Sequence, residues 1–380
     1  MNVVDGHNDL LLRLWESDVD PVSTVAEGDA ERHVDLPRAR EGNLAAGFFA
    51  VFVPNEEPLP DAVFVPNEEP LPDAVETDEG YRVPSVDPID QEYAKRVAYE
   101  QLELLHRLAH DVDDFRVVTS AADVEDCLAE ESPGALGAIP HLEGAEPVAR
   151  DLSNLDFLAA AGVRSIGPAW SRDNAFADGV PFEYPGHPDA GGGLTDAGRD
   201  LVRACEERGI LVDCAHLTEQ GFRDVAAATD APLVVSHTAA HALVSHTRNL
   251  TDEQLAAVAD TGGVVGITFG RDQLRDAAVA RSASSANRNA SRSGDDADQG
   301  ADVPLAALVD HVEYVADVAG VEHVALGSDF DGATVPEDVG DVTGLPDVLD
   351  ALRERGFDEA EVEQVAHGNW LRVLRDWWGE

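Results

Sequence analysis

Short runs of apolar residues, rich in Val, Ile, Leu and Phe, recur along the chain at residues 3–4, 45–53, 135–140, 163–166, 210–212, 232–235, 264–268 and 324–326. Their near-continuous apolarity is that of strands covered on both faces, as in a parallel sheet. The segments between them carry helical spacing and helix punctuation. Thr195 is placed to cap a helix that shows Leu201, Val202 and Cys205 on one face and stops at Gly209. Thr251 and Gln254 form the ends of a capping box ahead of Leu255 and Val258. Strand followed by helix, eight times over, predicts an α/β fold closed as a (β/α)8 TIM barrel.

A barrel of this kind accommodates all 380 residues as one catalytic domain, 1–380, with two loop insertions at about 50–88 and about 278–302. In the first, residues 50–61 (AVFVPNEEPLPD) recur unchanged as 62–73, a tandem copy too short and too Pro-rich for a solenoid unit. The second, rich in Ser, Ala, Asn, Asp and Arg, has almost no large apolar residues and reads as a polar insertion before the seventh helix. The glycine run 191–193 is a turn, and no phosphate-binding loop follows from it.

The charge changes the picture of the surface. Against 75 Asp and Glu stand 26 Lys and Arg, giving a formal net charge of -49, and Lys95 is the single lysine. Such a field repels nucleic acid and anionic membrane. An acidic, nearly lysine-free surface is expected of a halophilic protein, whose self-repulsion is screened over about 3 Å in molar salt. Carboxylates are so common that a lone Asp or Glu says little about chemistry, and histidines must carry the functional reading. Cys127, Cys205 and Cys214 are too few and too scattered for a disulfide framework or a Cys-rich zinc site. The opening residues, MNVVDGHNDLLL, lack the basic and apolar regions of a signal peptide, and no apolar stretch reaches about 18 residues. The expectation is a cytoplasmic protein, for which a homodimer is an allowed assembly.

Chemistry gathers at the ends of the strands: Asp5-Gly6-His7-Asn8-Asp9 after the first, His141-Leu142-Glu143-Gly144 after the third, Asp213-Cys214-Ala215-His216 after the fifth, Ser236-His237-Thr238 after the sixth and Gly327-Ser328-Asp329-Phe330-Asp331-Gly332 after the eighth. In a barrel these ends share one face, where active sites sit. His7 and Asp9, read as extended chain, project to one side and offer an imidazole and a carboxylate to a metal. Alone, such a pair reads by default, in so acidic a chain, as a capping Asp beside a solvated His. His216 and His237 end neighbouring strands and can share an ion, although each singly is as readily a satisfied core histidine. Glu143 can bridge two ions about 3.5 to 4 Å apart; taken singly it is more often structural. Asp329, placed across the mouth from the metals, can relay a proton, with a DxDG calcium turn as the competing reading. Arg248 offers a planar fork to a carboxylate, and in so acidic a chain a surface ion pair is the plainer account.

The ordered set DGHND, LEG, DCAH, SHT, Arg248-Asn249 and GSDFDG, extending to HGNWLRV near the carboxyl terminus, resembles the membrane (renal) dipeptidase family of metallopeptidases. The resemblance implies two Zn2+ ions, one held by His7 and Asp9 and the other by His216 and His237, with Glu143 between them. It implies acid/base work at Asp329, which also meets the free amino group of a dipeptide, and capture of the substrate carboxylate by Arg248, with Asn249 beside it. A hydroxide shared by the ions would attack the peptide carbonyl. One position departs from the family: a histidine often found at the end of strand four, eight residues before an Asp, is replaced by Trp170, counted back from Asp178. Indole donates one hydrogen bond but cannot become cationic, so Trp170 reads as a wall of the substrate pocket. The competing functions are a binuclear barrel hydrolase of another amide or ester, such as an N-acyl amino acid or lactone, and a catalytically silent zinc- or peptide-binding barrel. Membrane attachment is not carried over from the family name.

Overall fold

The structure, a computed structural model, describes residues 1–55, 75–77, 80–83, 87–129, 134–274 and 302–379. The tandem repeat beyond residue 55 and nearly all of the second insertion lie outside the described residues. Twelve strands are present among them: β1 (Val3–Asn8), β2 (Leu44–Phe52), β3 (Val75–Glu76), β4 (Tyr81–Arg82), β5 (Phe115–Val117), β6 (Leu136–Glu143), β7 (Ser165–Ile166), β8 (Glu183–Tyr184), β9 (Leu211–Val212), β10 (Val234–Thr238), β11 (Val264–Ile267) and β12 (Val324–Leu326).

The eight apolar runs correspond to β1, β2, β6, β7, β9, β10, β11 and β12, which pair in parallel in that order. A parallel bridge between Asp213 and Val234 joins β9 to β10, and another between Asn8 and Phe330 joins the end of β12 back to β1. The sheet therefore closes as a TIM barrel. Strand ladders are buried almost throughout, β2 along eight of its nine residues, as expected for strands packed on both faces.

Two features go beyond the sequence pattern. β5 pairs with the first residues of β6, Phe115 with Leu136 through Val117 with Ala138, on the edge that β7 takes up at His141. A small antiparallel sheet of β3, β4 and β8 forms apart from the barrel. The punctuation of the helices is as expected: Thr195 accepts from Gly198 N at the head of helix Asp196–Glu206, and Thr251 and Gln254 make a complete capping box on helix Asp252–Asp260.

Inside the barrel, Val4, Ala46, Phe48, Ile139, Leu211, Val234, Val264 and Ala325 form one apolar cluster with Trp370 of the carboxyl-terminal helix Asn369–Trp378. Trp370 packs on Phe48 with ring centroids 4.9 Å apart and donates from Nε1 to Leu326 O. A second, larger core lies between the strands and the surrounding helices. With its interior filled, the barrel leaves chemistry to the loops at the carboxyl ends of its strands.

Candidate active site

Glu143, the last residue of β6, stands at the centre. Its Oε2 faces His7 Nε2 at 3.6 Å, and its Oε1 faces His216 Nε2 at 3.0 Å and His237 Nε2 at 3.7 Å. His7 Nε2 is in turn 3.2 Å from Asp9 Oδ2. The expected reason for that last pairing needs correction. β1 runs through His7 to Asn8, but Asp9 has left the strand to sit at the head of helix Leu10–Glu16 with φ -107 and ψ 25. The carboxylate meets the imidazole because the chain turns into a helix, and not because two alternate residues of a strand share a face.

Asp329 also stands elsewhere than expected. Barrel closure puts the end of β12 against β1, and Asp329 N donates to His7 O at 3.0 Å. Its carboxylate lies on the His7 side of the site, and ligand-type atoms of His7, Asp9 and Asp329 fall within 4.8 Å of one another. The crowding requires Gly332, where a Cβ would come within 2.1 Å of Asp9 Oδ2 and 2.3 Å of Asp329 Oδ1.

Burial opposes a charge on His7, yet Glu143, Asp9 and Asp329 outweigh it and push His7 up to about 10. Asp329 is pushed up to about 7 by burial and by Asp9 and Asp272, against the pull of His7 and Arg248. On the other side, burial and then the nearby cationic groups hold His216 and His237 well below the usual imidazole range, so both are neutral.

Their tautomers follow from their neighbours. Asp213 receives Ser236 N at 2.8 Å, Ala215 N at 3.1 Å and the Ser236 hydroxyl at 2.5 Å. With its proton given to Asp213, Ser236 Oγ accepts from His237 Nδ1 at 2.8 Å. His216 Nε2 accepts from Arg248 Nη2 at 2.9 Å, and so His216 Nδ1 donates to Ser171 Oγ at 2.8 Å. Both Nε2 lone pairs then face each other 2.9 Å apart beside Glu143. Within this buried cluster the positive charge comes from His7 and from Arg248 at His216 Nε2, and a metal ion among the same nitrogens and carboxylates would take over that role. Imidazole nitrogens with carboxylate oxygens form a donor set suited to first-row divalent ions.

Arg248 is buried, and among the described residues no carboxylate lies within ion-pair distance of its guanidinium. Its Nη2 reaches His216 and, at 3.4 Å, His237 O, while its Nε has no partner among the described residues. Its burial is not that of a surface ion pair. Asn249 is also buried, with Nδ2 committed to Val244 O and Gln273 O, so it braces the loop that carries Arg248. Trp170 follows β7 and sets its ring 5.6 Å from that of His216.

The relay residues Asp213, Ser236 and Ser171 were missed by sequence reasoning. Asp213 and Ser236 stand inside the DCAH and SHT motifs, and their position three and one residues before a candidate ligand was the available signal. His141 was missed too: it lies 3.5 Å from Asp213 Oδ2 and bonds Ser165 Oγ through Nδ1.

The model of the membrane dipeptidase family, peptidase family M19, matches residues 1–377. The chain belongs to this family. A metallo peptidase of Rhodobacter sphaeroides, solved with a phosphinate mimic of the dipeptide L-Ala-D-Ala, is 38% identical, with a TM-score of 0.87 over 100% of this chain and 99% of that one. A dipeptidase described as a family M19 metallo peptidase superposes with a TM-score of 0.85 and 38% identity over 100% and 99% of the two chains. Dipeptidase aclJ of Aspergillus oryzae is 30% identical over 98% of this chain and 78% of its own length. As an M19 metallopeptidase the chain is a metal-dependent hydrolase acting on peptide bonds. Among the described residues no helix is long and apolar enough to cross a membrane.

Proposed function

We propose that this M19 chain hydrolyses dipeptides with two Zn2+ ions, one held by His7 and Asp9, the other by His216 and His237, and both by Glu143. The observation that carries this reading is the division of the Glu143 carboxylate, one oxygen toward His7 and the other toward His216 and His237. The bound ions supply Lewis acidity, polarising the scissile carbonyl and lowering the pKa of a water.

The remaining work falls to side chains. Asp329, beside His7 and Asp9, holds the amino end of the substrate and moves a proton from the attacking water to the departing amine. A carboxyl that gains and loses a proton near neutrality suits both halves of that transfer. Arg248, with an unpartnered Nε in a buried setting, takes the substrate carboxylate. Asn249 contributes by bracing the Arg248 loop, and Trp170 walls the pocket. A carboxyl on the His7 side of the cluster and a guanidinium on the His216 side suit a short peptide with both ends free, in keeping with the dipeptide mimic bound by the Rhodobacter sphaeroides relative.

Removal of metal by a chelator should abolish hydrolysis of Ala-Ala, and two equivalents of Zn2+ should restore it. Turnover by rigorously metal-free protein would refute the reading, as would restoration with a single equivalent. The acidic, lysine-poor surface fits a halophilic, intracellular setting in which the substrate is a small peptide and not a polyanion.

A further inference from the structure

Three large aromatic side chains stand at the barrel mouth with no part in metal binding or proton transfer: Phe52 ending β2, Trp170 after β7, and Phe182 just before β8. Trp170 lies 5.1 Å from Phe52 and 5.6 Å from Phe182 between ring centroids, and both Trp170 and Phe182 border the His216 ring, at 5.6 and 6.1 Å. All three are half-buried, whereas Phe48, Phe49, Phe176 and Phe269 are enclosed in the core. Partly open aromatic faces in one group beside a site await an apolar partner.

The group is also preorganised. The Arg172 guanidinium lies 5.6 Å from the centre of the Trp170 ring, and Arg172 is itself fixed by Glu146 Oε1, Asn55 Oδ1 and Val53 O. An indole locked in this way loses little freedom when a ligand packs on it.

The site has two poles. Asp9 and Asp329 gather where β12 meets β1, and Arg248 reaches in beyond β10 to touch His216. A dipeptide lying between them, amine toward Asp329 and carboxylate toward Arg248, sets its carboxyl-terminal residue over His216, the same imidazole that Trp170 and Phe182 flank. We propose that Phe52, Trp170 and Phe182 form a wall for the side chain of the carboxyl-terminal residue and select dipeptides in which that residue is large and apolar. This rests on the dipeptidase reading above and on the roles given there to Asp329 and Arg248.

The test compares kcat/KM for Ala-Gly, Ala-Leu and Ala-Phe with Gly-Ala, Leu-Ala and Phe-Ala, in the zinc-loaded wild type and in Trp170→Ala and Trp170→Phe. Packing a Leu or Phe side chain on the wall should favour Ala-Leu and Ala-Phe over Ala-Gly by roughly 10- to 100-fold in the wild type. The series varied at the amino-terminal residue should stay within about threefold. In Trp170→Ala the carboxyl-terminal ratio should collapse toward unity through a rise in KM for Ala-Phe, and Trp170→Phe should keep most of it. A ratio taken within one variant is insensitive to the fraction folded. A flat wild-type ratio, a preference set by the amino-terminal residue, or a ratio that survives in Trp170→Ala would overturn the wall. If the zinc-loaded wild type cleaves no dipeptide of either series, the dipeptidase reading itself falls.

Discussion

Asp213→Asn tests the hydrogen-bond relay that would ready His237 Nε2 for the proposed metal ion. Asp213 Oδ1 receives the backbone N–H groups of Ser236 and Ala215, so an asparagine must keep its carbonyl oxygen there and turn its amide nitrogen toward Ser236 Oγ. The hydroxyl that now donates to Asp213 across 2.5 Å loses its acceptor and turns to His237 Nδ1. His237 must then carry its proton on Nε2, pointing at Glu143 and His216, where it cannot ligate. Partners of this kind contribute about 10- to 100-fold to metal affinity, or roughly 1.4 to 2.8 kcal/mol. The Oδ1 bonds survive the change, so the fold should lose no more than about 1 kcal/mol. The assay is a titration of Zn2+ into metal-free protein against a chromophoric chelator, resolving two affinities, with thermal unfolding of the same samples as control. One site should weaken by the stated factor and the other stay within about threefold. Ser236→Ala should weaken the same site. Two unchanged affinities in a folded Asp213→Asn protein would refute the relay.

Other outcomes follow from the same geometry. Arg248→Met removes a buried guanidinium with no carboxylate partner among the described residues, so KM for a dipeptide should rise by roughly 30-fold or more, while KM for the dipeptide amide stays nearly constant and the metal-free protein unfolds at an equal or higher temperature; a marked loss of stability would refute the lack of an ion pair. Asp329→Asn should lower kcat by roughly 10²- to 10⁴-fold with both ions retained by elemental analysis, and loss of an ion would move Asp329 from proton transfer into the ligand set with His7 and Asp9. A net charge of -49 should make the midpoint of thermal unfolding climb as KCl is raised from 0.1 to about 2 M, where the screening length falls to a few ångströms; a flat response measured by circular dichroism would refute the halophilic reading.

The barrel and the cluster around Glu143 were legible in the sequence because parallel strands buried on both faces leave unbroken apolar runs, and because five of the eight runs lead into a histidine or carboxylate that the topology must bring to one rim. The relay was not, since Ser171 and His216 lie 45 residues apart and a serine has no periodicity to betray its direction. β5 and the small sheet escaped for a related reason: two- and three-residue strands leave almost no alternation to read. Asp329 could have been placed correctly from barrel closure alone, which makes the eighth strand a neighbour of the first. What no pattern could supply is the backbone at the rim. His216, Asp329 and Asp331 adopt φ of 64, 62 and 65, the left-handed region that non-glycine residues enter at about 1 to 2 kcal/mol each. Glycine at any of the three would relieve that strain, but it would leave no imidazole to aim at Glu143, no Asp329 carboxylate to set beside His7, or no Asp331 carboxylate to receive His33 N and Val34 N. Strained backbone with ligand-type side chains at two separate strand ends therefore argues that their direction, and not local stability, decides the residues at those positions.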